Sequence, residues 1–168
     1  EIARQLSKNF GKDEFFTGGL TIRATIDPEL QAAAEKALRT ALEKYDRGRG
    51  RWNGTGKTIA EDKLGAESDW RAALAATDVP RDIDGWFPAV VLEIGDKSMR
   101  IGIEGVRETE AEPQVIPRAD IDWMKGSFAD NFKPGDVVLV RRMIKDADNS
   151  FIRWTLRQVP AVQGAFMA

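Results

Sequence analysis

The chain has 168 residues, a formal net charge of −2, an apolar fraction of 42% and a charged fraction of 31%, which is an ordinary globular balance. It contains no His and no Cys, which excludes Ser-His-Asp and Cys-His nucleophiles, thiol redox chemistry and ordinary zinc sites. No apolar run approaches the roughly 20 residues that a membrane span requires. The first residue is Glu1, so we expect these residues to be a piece of a longer protein.

The first predicted elements are a strand and a long helix. Apolar and polar residues alternate over 20–26, which predicts a half-buried strand. Asp27 then provides an N-cap, Pro28 suits the first helical position, and apolar residues recur at helical spacing after them. We therefore predict a helix over residues 28–45. Its apolar stripe is mostly Ala, so we expect it to pack closely against another surface.

A Gly-rich loop follows the helix, and it carries most of the candidate partner contacts. The candidates are Arg47, Arg49, Arg51, Trp52 and Trp70. A basic loop with an aromatic tip can hold an anionic polymer, a lipid headgroup or an acidic partner surface. The alternative is a solubilising loop with Trp52 packed against the fold. Trp70 lies in a short helix predicted over residues 67–76.

Five short strands are predicted in the second half of the chain. Their ranges are 87–94, 98–104, 115–116, 137–140 and 151–156. A single helical turn over 117–120 separates the third strand from the fourth, which is the order of an OB-type barrel. The run Val137–Val140 is apolar throughout, which predicts a strand covered on both faces. The fold class is therefore mainly β: a small five-stranded OB-like barrel with an N-terminal strand–helix segment, α+β overall.

Alternation along the strands predicts which side chains share a face. In the first hairpin, one face is expected to hold Val90, Leu92, Ile94, Met99, Ile101 and Ile103. In the last strand, one face is expected to hold Ile152, Trp154 and Leu156. Trp154 is therefore expected in the core.

Residues 18–34 read Gly-Gly-Leu-Thr-Ile-Arg-Ala-Thr-Ile-Asp-Pro-Glu-Leu-Gln-Ala-Ala-Ala. This run resembles the segment that joins the glycosyltransferase and transpeptidase domains of class A penicillin-binding proteins, with Ala24 where Thr is usual. Residues 45–52 look like the Tyr-Asp-Arg…Gly stretch that follows in members of the 1A type. Residues 86–158 look like the OB-like domain of those members, and 157–168 resemble the first strand of the transpeptidase core.

The resemblance implies four segments. Residues 1–46 would be a linker strand and helix packed on the transpeptidase, and 47–83 a connector with a short helix. Residues 84–158 would be the OB-like barrel, and 159–168 the start of the first transpeptidase strand.

The resemblance also implies a function. The parent protein would be a peptidoglycan glycosyltransferase and serine-type D-Ala-D-Ala transpeptidase on the periplasmic side of the bacterial inner membrane, attached by an N-terminal anchor. This piece would be a non-catalytic accessory module that positions the two flanking catalytic domains of the same chain. An envelope regulatory protein and peptidoglycan are further candidate partners.

The serines are consistent with a piece that has no catalytic residue. A penicilloyl serine needs a Lys three positions later, so that the amine can act on the hydroxyl. The residues at that position, after Ser7, Ser68, Ser98, Ser127 and Ser150, are Phe10, Arg71, Ile101, Asp130 and Arg153. We therefore expect no catalytic residue, no cofactor site and no metal site in this chain.

Two other functions stay open. The barrel face could bind peptidoglycan directly. It could also bind nucleic acid, since OB barrels often stack bases on exposed aromatic residues in a basic groove. Nucleic-acid binding is the less favoured reading, because the chain is net negative and its barrel aromatics are expected to be buried, so nucleic acid is not counted among the partners.

Overall fold

The computed structural model describes residues 2–12, 17 and 25–164. It divides the chain into two units, Glu1–Lys36 and Ala37–Ala168. Helix α1 spans Ile2–Phe10, and helix α2 spans Pro28–Gly48, three residues beyond the predicted end. Of the predicted strand over 20–26, residues 20–24 lie outside the described residues, and the structure assigns no strand to 25 and 26.

The N-terminus of α2 is capped as its sequence predicts. The carboxylate Oδ1 of Asp27 accepts hydrogen bonds from the backbone N–H groups of Glu29, at 2.9 Å, and Leu30, at 3.2 Å. These groups have no partner inside the helix and Pro28 has no N–H, so the Asp27 carboxylate satisfies the free backbone donors of residues 28–30.

Five antiparallel strands form one sheet. They are β1 (Trp86–Ile94), β2 (Ser98–Ile103), β3 (Val115–Pro117), β4 (Val137–Ile144) and β5 (Phe151–Arg157). Their spatial order is β3-β2-β1-β4-β5. The predicted five-stranded OB-like fold is thus confirmed. The two outer strands β3 and β5 approach each other, but the described residues show no ladder between them, so the sheet is not closed.

Side chains occupy the edge of β5 where a neighbouring strand would bond. Asp120 belongs to a 3-10 turn (Arg118–Ile121) that follows β3, at the place where the sequence predicts a helical turn. Its Oδ2 accepts from the N–H of Leu156 at 2.8 Å, and its Oδ1 accepts from the Thr155 hydroxyl at 2.6 Å. The carbonyl of Leu156 accepts from the Arg47 guanidinium. These contacts satisfy the edge groups and block further strand pairing there.

The expected face of the first hairpin is wrong for two residues of β1. The register shifts between Val91 and Glu93, which is a bulge, and a bulge reverses the alternation. Before it, Val91 pairs with Ile101 and contributes to the interior, whereas Val90 packs on the opposite side of the sheet. Leu92 also packs on that side, and only Ile94, beyond the shift, faces the interior as expected.

The face predicted for the last strand is wrong for one residue. Trp154 and Leu156 lie in the interior as expected, with 1% and 0% of their surfaces exposed. Ile152 does not join them, because Met143 pairs with Arg153 while Ile144 pairs with Phe151. The extra residue in β5 leaves Ile152 43% exposed, and Phe151 packs against the core instead.

A second apolar cluster lies on the outer face of the sheet, beneath helix α3 (Glu67–Ala75). Trp70 and Leu74 from α3 pack there against Val90 and Val137. Val137 faces this cluster while Val138 and Val140 face the interior. The predicted burial of β4 on both faces is therefore confirmed.

Candidate functional site: a polar junction and a cationic cluster

Arg47 is committed to contacts inside the fold. Its guanidinium Nη2 lies 3.1 Å from Glu43 Oε1 and donates to the carbonyl of Leu156. The guanidinium carbon also lies 5.0 Å above the centroid of the Trp123 ring. Burial lowers the pKa of Arg47, and the neighbouring Glu43 carboxylate opposes that shift. The Nη2 group of Arg47 is therefore used inside the fold.

Trp52 packs against the interior cluster of the sheet. Its ring lies 5.2 Å from the ring of Phe132 and 6.4 Å from that of Trp123, measured between centroids. The side chain is half-buried and packs against the interior cluster. Its packing matches the alternative in which Trp52 is held against the fold, while a role in partner contact stays a prediction.

Arg49 and Arg51 are exposed. Between them, Gly50 has a φ of +67°, and a Cβ at this position would lie 3.5 Å from Cγ of Lys125. Lys125 is exposed too, and its N–H donates to the carbonyl of Gly50 at 3.4 Å. We call Arg49, Arg51 and Lys125 the cationic cluster.

Trp70 lies elsewhere, on the outer face of the sheet. Its ring covers Gly102 of β2 so closely that a Cβ there would be 2.6 Å from the indole. The guanidinium of Arg71 lies 4.5 Å from the centroid of the same ring, and only 6% of Trp70 is exposed. The structure thus brings Arg47 and Trp52 into one region around Trp123, and separates Trp70 from it.

A polar junction joins the end of α2 to the residues that follow β5. Asp46 is only 4% exposed, and its Oδ2 accepts three hydrogen bonds. The donors are Asn53 Nδ2 at 2.9 Å, the backbone N–H of Ala161 at 2.8 Å and Gln158 Nε2 at 3.3 Å. One carboxylate therefore fixes the helix, the loop after it and the outgoing chain.

Glu43 adds a second link to the same junction. It is also 4% exposed, and Oε2 lies 3.1 Å from Nη1 of Arg157. Farther along the outgoing chain, a Cβ on Gly164 would lie 3.2 Å from Cδ2 of Leu42. The same Cβ would lie 3.4 Å from Cδ1 of Leu38, so the helix and the outgoing segment lie side by side from Leu38 to Asp46, which is about two helical turns.

Sequence reasoning did not identify Glu43, Asp46 or Gln158. A charged residue on a helix is usually solvated, so its type alone gives no sign of burial. Glu43 and Asp46 follow Leu38 and Leu42, next to the apolar stripe of α2. This position is the one signal in the sequence that could have indicated their burial. Gln158 ends the alternation of β5 and carries no comparable signal.

The described residues hold no metal-ligating group of three or more His, Cys, Asp or Glu side chains. None of the described helices combines the length and the apolar character that crossing a membrane would require. A groove of about 650 Å³ lies between α3 and β2, beside Trp70 and Arg100. Arg100 lies there at 3.7 Å from Glu108, and Arg71 at 2.7 Å from Glu67, so these two cations are paired with carboxylates.

Comparison with known proteins decides what kind of domain this is. The sequence model of the family described as "Penicillin-binding protein OB-like domain" matches residues 52–162. The chain belongs to this family. The match covers the sheet, α3, Lys125 and most of the outgoing segment, and it begins directly after Arg49 and Arg51.

Relatives of this OB-like domain are found in longer proteins. Penicillin-binding protein 1A of Rickettsia typhi is 33% identical over 170 residues, which cover 99% of this chain and 19% of the relative. Penicillin-binding protein 1A of Neisseria gonorrhoeae is 29% identical over 171 residues, with 99% and 20% covered. The chain thus spans about a fifth of the length of the relatives it matches.

A solved structure has the same fold. The crystal structure of penicillin-binding protein 1A from Haemophilus influenzae superposes with a TM-score of 0.62 at 21% identity. The superposition covers 95% of this chain and 22% of that one. The superposition shows a shared fold, and the family model and the relatives confirm the resemblance noted from the sequence.

Proposed function

We propose that this OB-like domain is a non-catalytic accessory module of a bifunctional peptidoglycan synthase. The glycosyltransferase and the D,D-transpeptidase would lie in the parts of the parent protein on either side of it, on the periplasmic side of the inner membrane. The module would hold these flanking domains in a fixed relation and carry a surface for a further partner. No Ser of the chain has the Lys three positions later that acyl transfer to serine requires, which supports a non-catalytic role.

The polar junction is the observation that carries this proposal. Asp46 and Glu43 hold the end of α2 against Gln158, Ala161 and Arg157, so the chain arrives and leaves at one place. A domain whose incoming and outgoing segments lie together projects to one side of the connection between its two flanking domains. The relative position of the flanking domains would then be set by α2 and the outgoing segment. The surface of the sheet would stay accessible to a further partner.

The segment boundaries of the sequence analysis enter the proposal unchanged. Residues 1–46 would pack on the transpeptidase, 47–83 would form the connector, 84–158 the barrel and 159–168 the start of the first transpeptidase strand. The exposure of large apolar side chains on α2 supports a covering domain: Leu30 is 70% exposed and Tyr45 is 59% exposed. Burying such side chains would be favourable by about 1.5–3 kcal/mol for a Leu.

The experiment compares the full-length parent protein with variants of the junction. We expect Asp46→Ala to lower cross-linking relative to glycan polymerisation, while acylation by a fluorescent penicillin stays at its wild-type level. Asp122→Ala removes an exposed carboxylate of the same domain and is the matched control. A milder variant, Asp46→Asn, keeps one acceptor oxygen and should give an intermediate ratio of cross-linking to polymerisation.

Two results would contradict the proposal. One is covalent labelling of the 168-residue chain itself by the fluorescent penicillin, which would show a reactive serine. The other is an unchanged ratio of cross-linking to polymerisation in Asp46→Ala. Retention of the 168-residue chain by purified sacculi would instead indicate that the domain binds peptidoglycan directly.

A further inference from the structure

We propose that the cationic cluster, Arg49, Arg51 and Lys125, is a docking surface for an acidic protein segment. This inference rests on the proposed function for the idea that a further partner exists, and it names the chemistry of that partner and the residues that contact it. The chain has 27 acidic side chains, yet none of those in its described part pairs with these three cations.

The backbone under the cluster is hydrogen-bonded, while no carboxylate among the described residues pairs with the charged ends. The N–H of Arg49 donates to the carbonyl of Asp46 at 3.1 Å, and the carbonyl of Arg51 accepts from Gln158 at 3.4 Å. Lys125 is tied to Gly50 at 3.4 Å through its backbone N–H. Three cations held at fixed backbone positions lose less conformational entropy on binding than three on a flexible loop, which favours recognition.

The other anionic partners fit this surface less well. Binding to a lipid surface usually requires an apolar side chain that enters the bilayer boundary, but the nearby Trp52 ring is directed against Phe132. Nucleic acid binds OB barrels through the outer face of the second and third strands. Here Trp70 covers Gly102 on the outer face of β2, so α3 already occupies part of that surface.

An acidic protein segment needs only matching charge and a rigid counterpart. Complementary charges at the rim of an interface accelerate association and select the partner, and their effect falls as salt rises. Two of the three cations are Arg, a residue that is enriched in protein interfaces. These properties favour a protein over a lipid headgroup or a nucleic acid.

The test measures binding of a fluorescein-labelled deca-glutamate peptide to the 168-residue chain by anisotropy. We expect salt-sensitive binding that is weakened about tenfold or more in Arg49→Glu/Arg51→Glu/Lys125→Glu. The matched control is Lys63→Glu/Lys97→Glu/Arg107→Glu, which reverses three exposed cations elsewhere and changes the net charge equally. Binding by the control should stay within about twofold of wild type.

Several results would overturn the inference. They are no binding to the wild-type chain, an equal loss in both triple variants, and stronger binding to phosphatidylglycerol vesicles or to single-stranded DNA than to the peptide. Circular dichroism checks that each variant is folded, and the single charge reversals at positions 49, 51 and 125 serve as milder variants. Because this binding is measured without the flanking domains, its failure leaves the positioning role of the junction untouched.

Discussion

Gly102 is the residue on which the packing of α3 depends. It stands in β2 where the Trp70 ring comes nearest to the sheet, and a Cβ would lie 2.6, 2.8 and 2.9 Å from three atoms of that ring. Carbon atoms do not approach so closely without a shift of one group. The absence of a side chain at 102 is therefore a condition for burying Trp70, and with it the outer cluster.

We predict that Gly102→Ala lowers the free energy of unfolding by about 1–3 kcal/mol, because the added methyl group overpacks this contact. Urea unfolding followed by Trp fluorescence measures the change. Gly65→Ala is the control, since a Cβ at Gly65 meets nothing within 4 Å; it should stay within about 0.5 kcal/mol of wild type.

A double variant separates this contact from a general effect of the substitution. In Trp70→Leu/Gly102→Ala the smaller side chain leaves room for the methyl group. The double variant should therefore lose less free energy of unfolding than the sum of the losses in Trp70→Leu and Gly102→Ala. Full additivity would show that Trp70 and Gly102 are not coupled.

Among the elements, the short helix α4 (Phe128–Asn131) is stabilised mainly at its N-terminus. Ser127 and Asp130 form a capping box, in which the Ser127 hydroxyl accepts from the N–H of Asp130 and the Asp130 carboxylate accepts from the N–H of Ser127 at 2.7 Å. The hydrogen bonds from Ser127, backbone first and hydroxyl second, lower the pKa of Asp130 from its ordinary value of 3.8. The ionised carboxylate is thus favoured by the folded state.

This cap predicts a pH dependence for the stability of the domain. A carboxyl with a lowered pKa stabilises the folded state above its unfolded pKa, and that contribution is lost as the pH falls through the folded pKa. We therefore expect the stability difference between wild type and Asp130→Asn to shrink as the pH falls from about 5 to 3. Urea midpoints across this range measure it.

The control for the pH prediction is Asp122→Asn, which neutralises an exposed carboxyl outside the capping box. Its difference from wild type should not follow the same acid profile. If Asp130→Asn loses the same stability at pH 3 as at pH 7, the capping carboxylate has no role in the acid dependence.

The elements also show how far the sequence predicts this fold. The number of strands, their positions along the chain, and helices α2 and α3 follow from periodicity, with the Asp27 cap as a further signal for α2, because each of these signals is local. The face of the sheet on which Val90, Leu92 and Ile152 lie does not follow from these signals, because it depends on bulges that only the pairing of two strands creates. Helix α4 has a local signal, the Ser-x-x-Asp pattern at Ser127, that would have predicted its start.

The candidate site also combines residues that the sequence predicts with residues that only contacts between distant segments define. Arg49 and Arg51 could be selected from the sequence, since a basic Gly-rich loop is a local feature. Lys125 could not, because it is brought to Gly50 by the turn that follows β3. The buried roles of Asp46 and Glu43 also depend on contacts more than 100 positions away along the chain.

At the scale of the whole molecule, the polar junction decides how the domain is attached. Asp46 receives hydrogen bonds from the loop at Asn53 and from Gln158 and Ala161 after β5. A buried carboxylate with three donors is favourable only while all three remain in place. The junction should therefore form or break as one unit, and its loss should release the outgoing chain from α2 without unfolding the sheet.

We predict that Asp46→Ala lowers the free energy of unfolding by about 2–4 kcal/mol, since it removes the shared acceptor of three hydrogen bonds at a buried position. Amide hydrogen exchange, measured by NMR, distinguishes local release from global unfolding. Protection should be lost at Ala161, whose N–H lies 2.8 Å from Asp46, and kept at Val91 and Ile101 within the sheet. In the control variant Asp122→Ala, all three amides should stay as protected as in wild type. Equal loss of protection in the sheet and at Ala161 would mean that the junction is part of the global core, and retained protection at Ala161 would mean that Asp46 does not hold the outgoing chain.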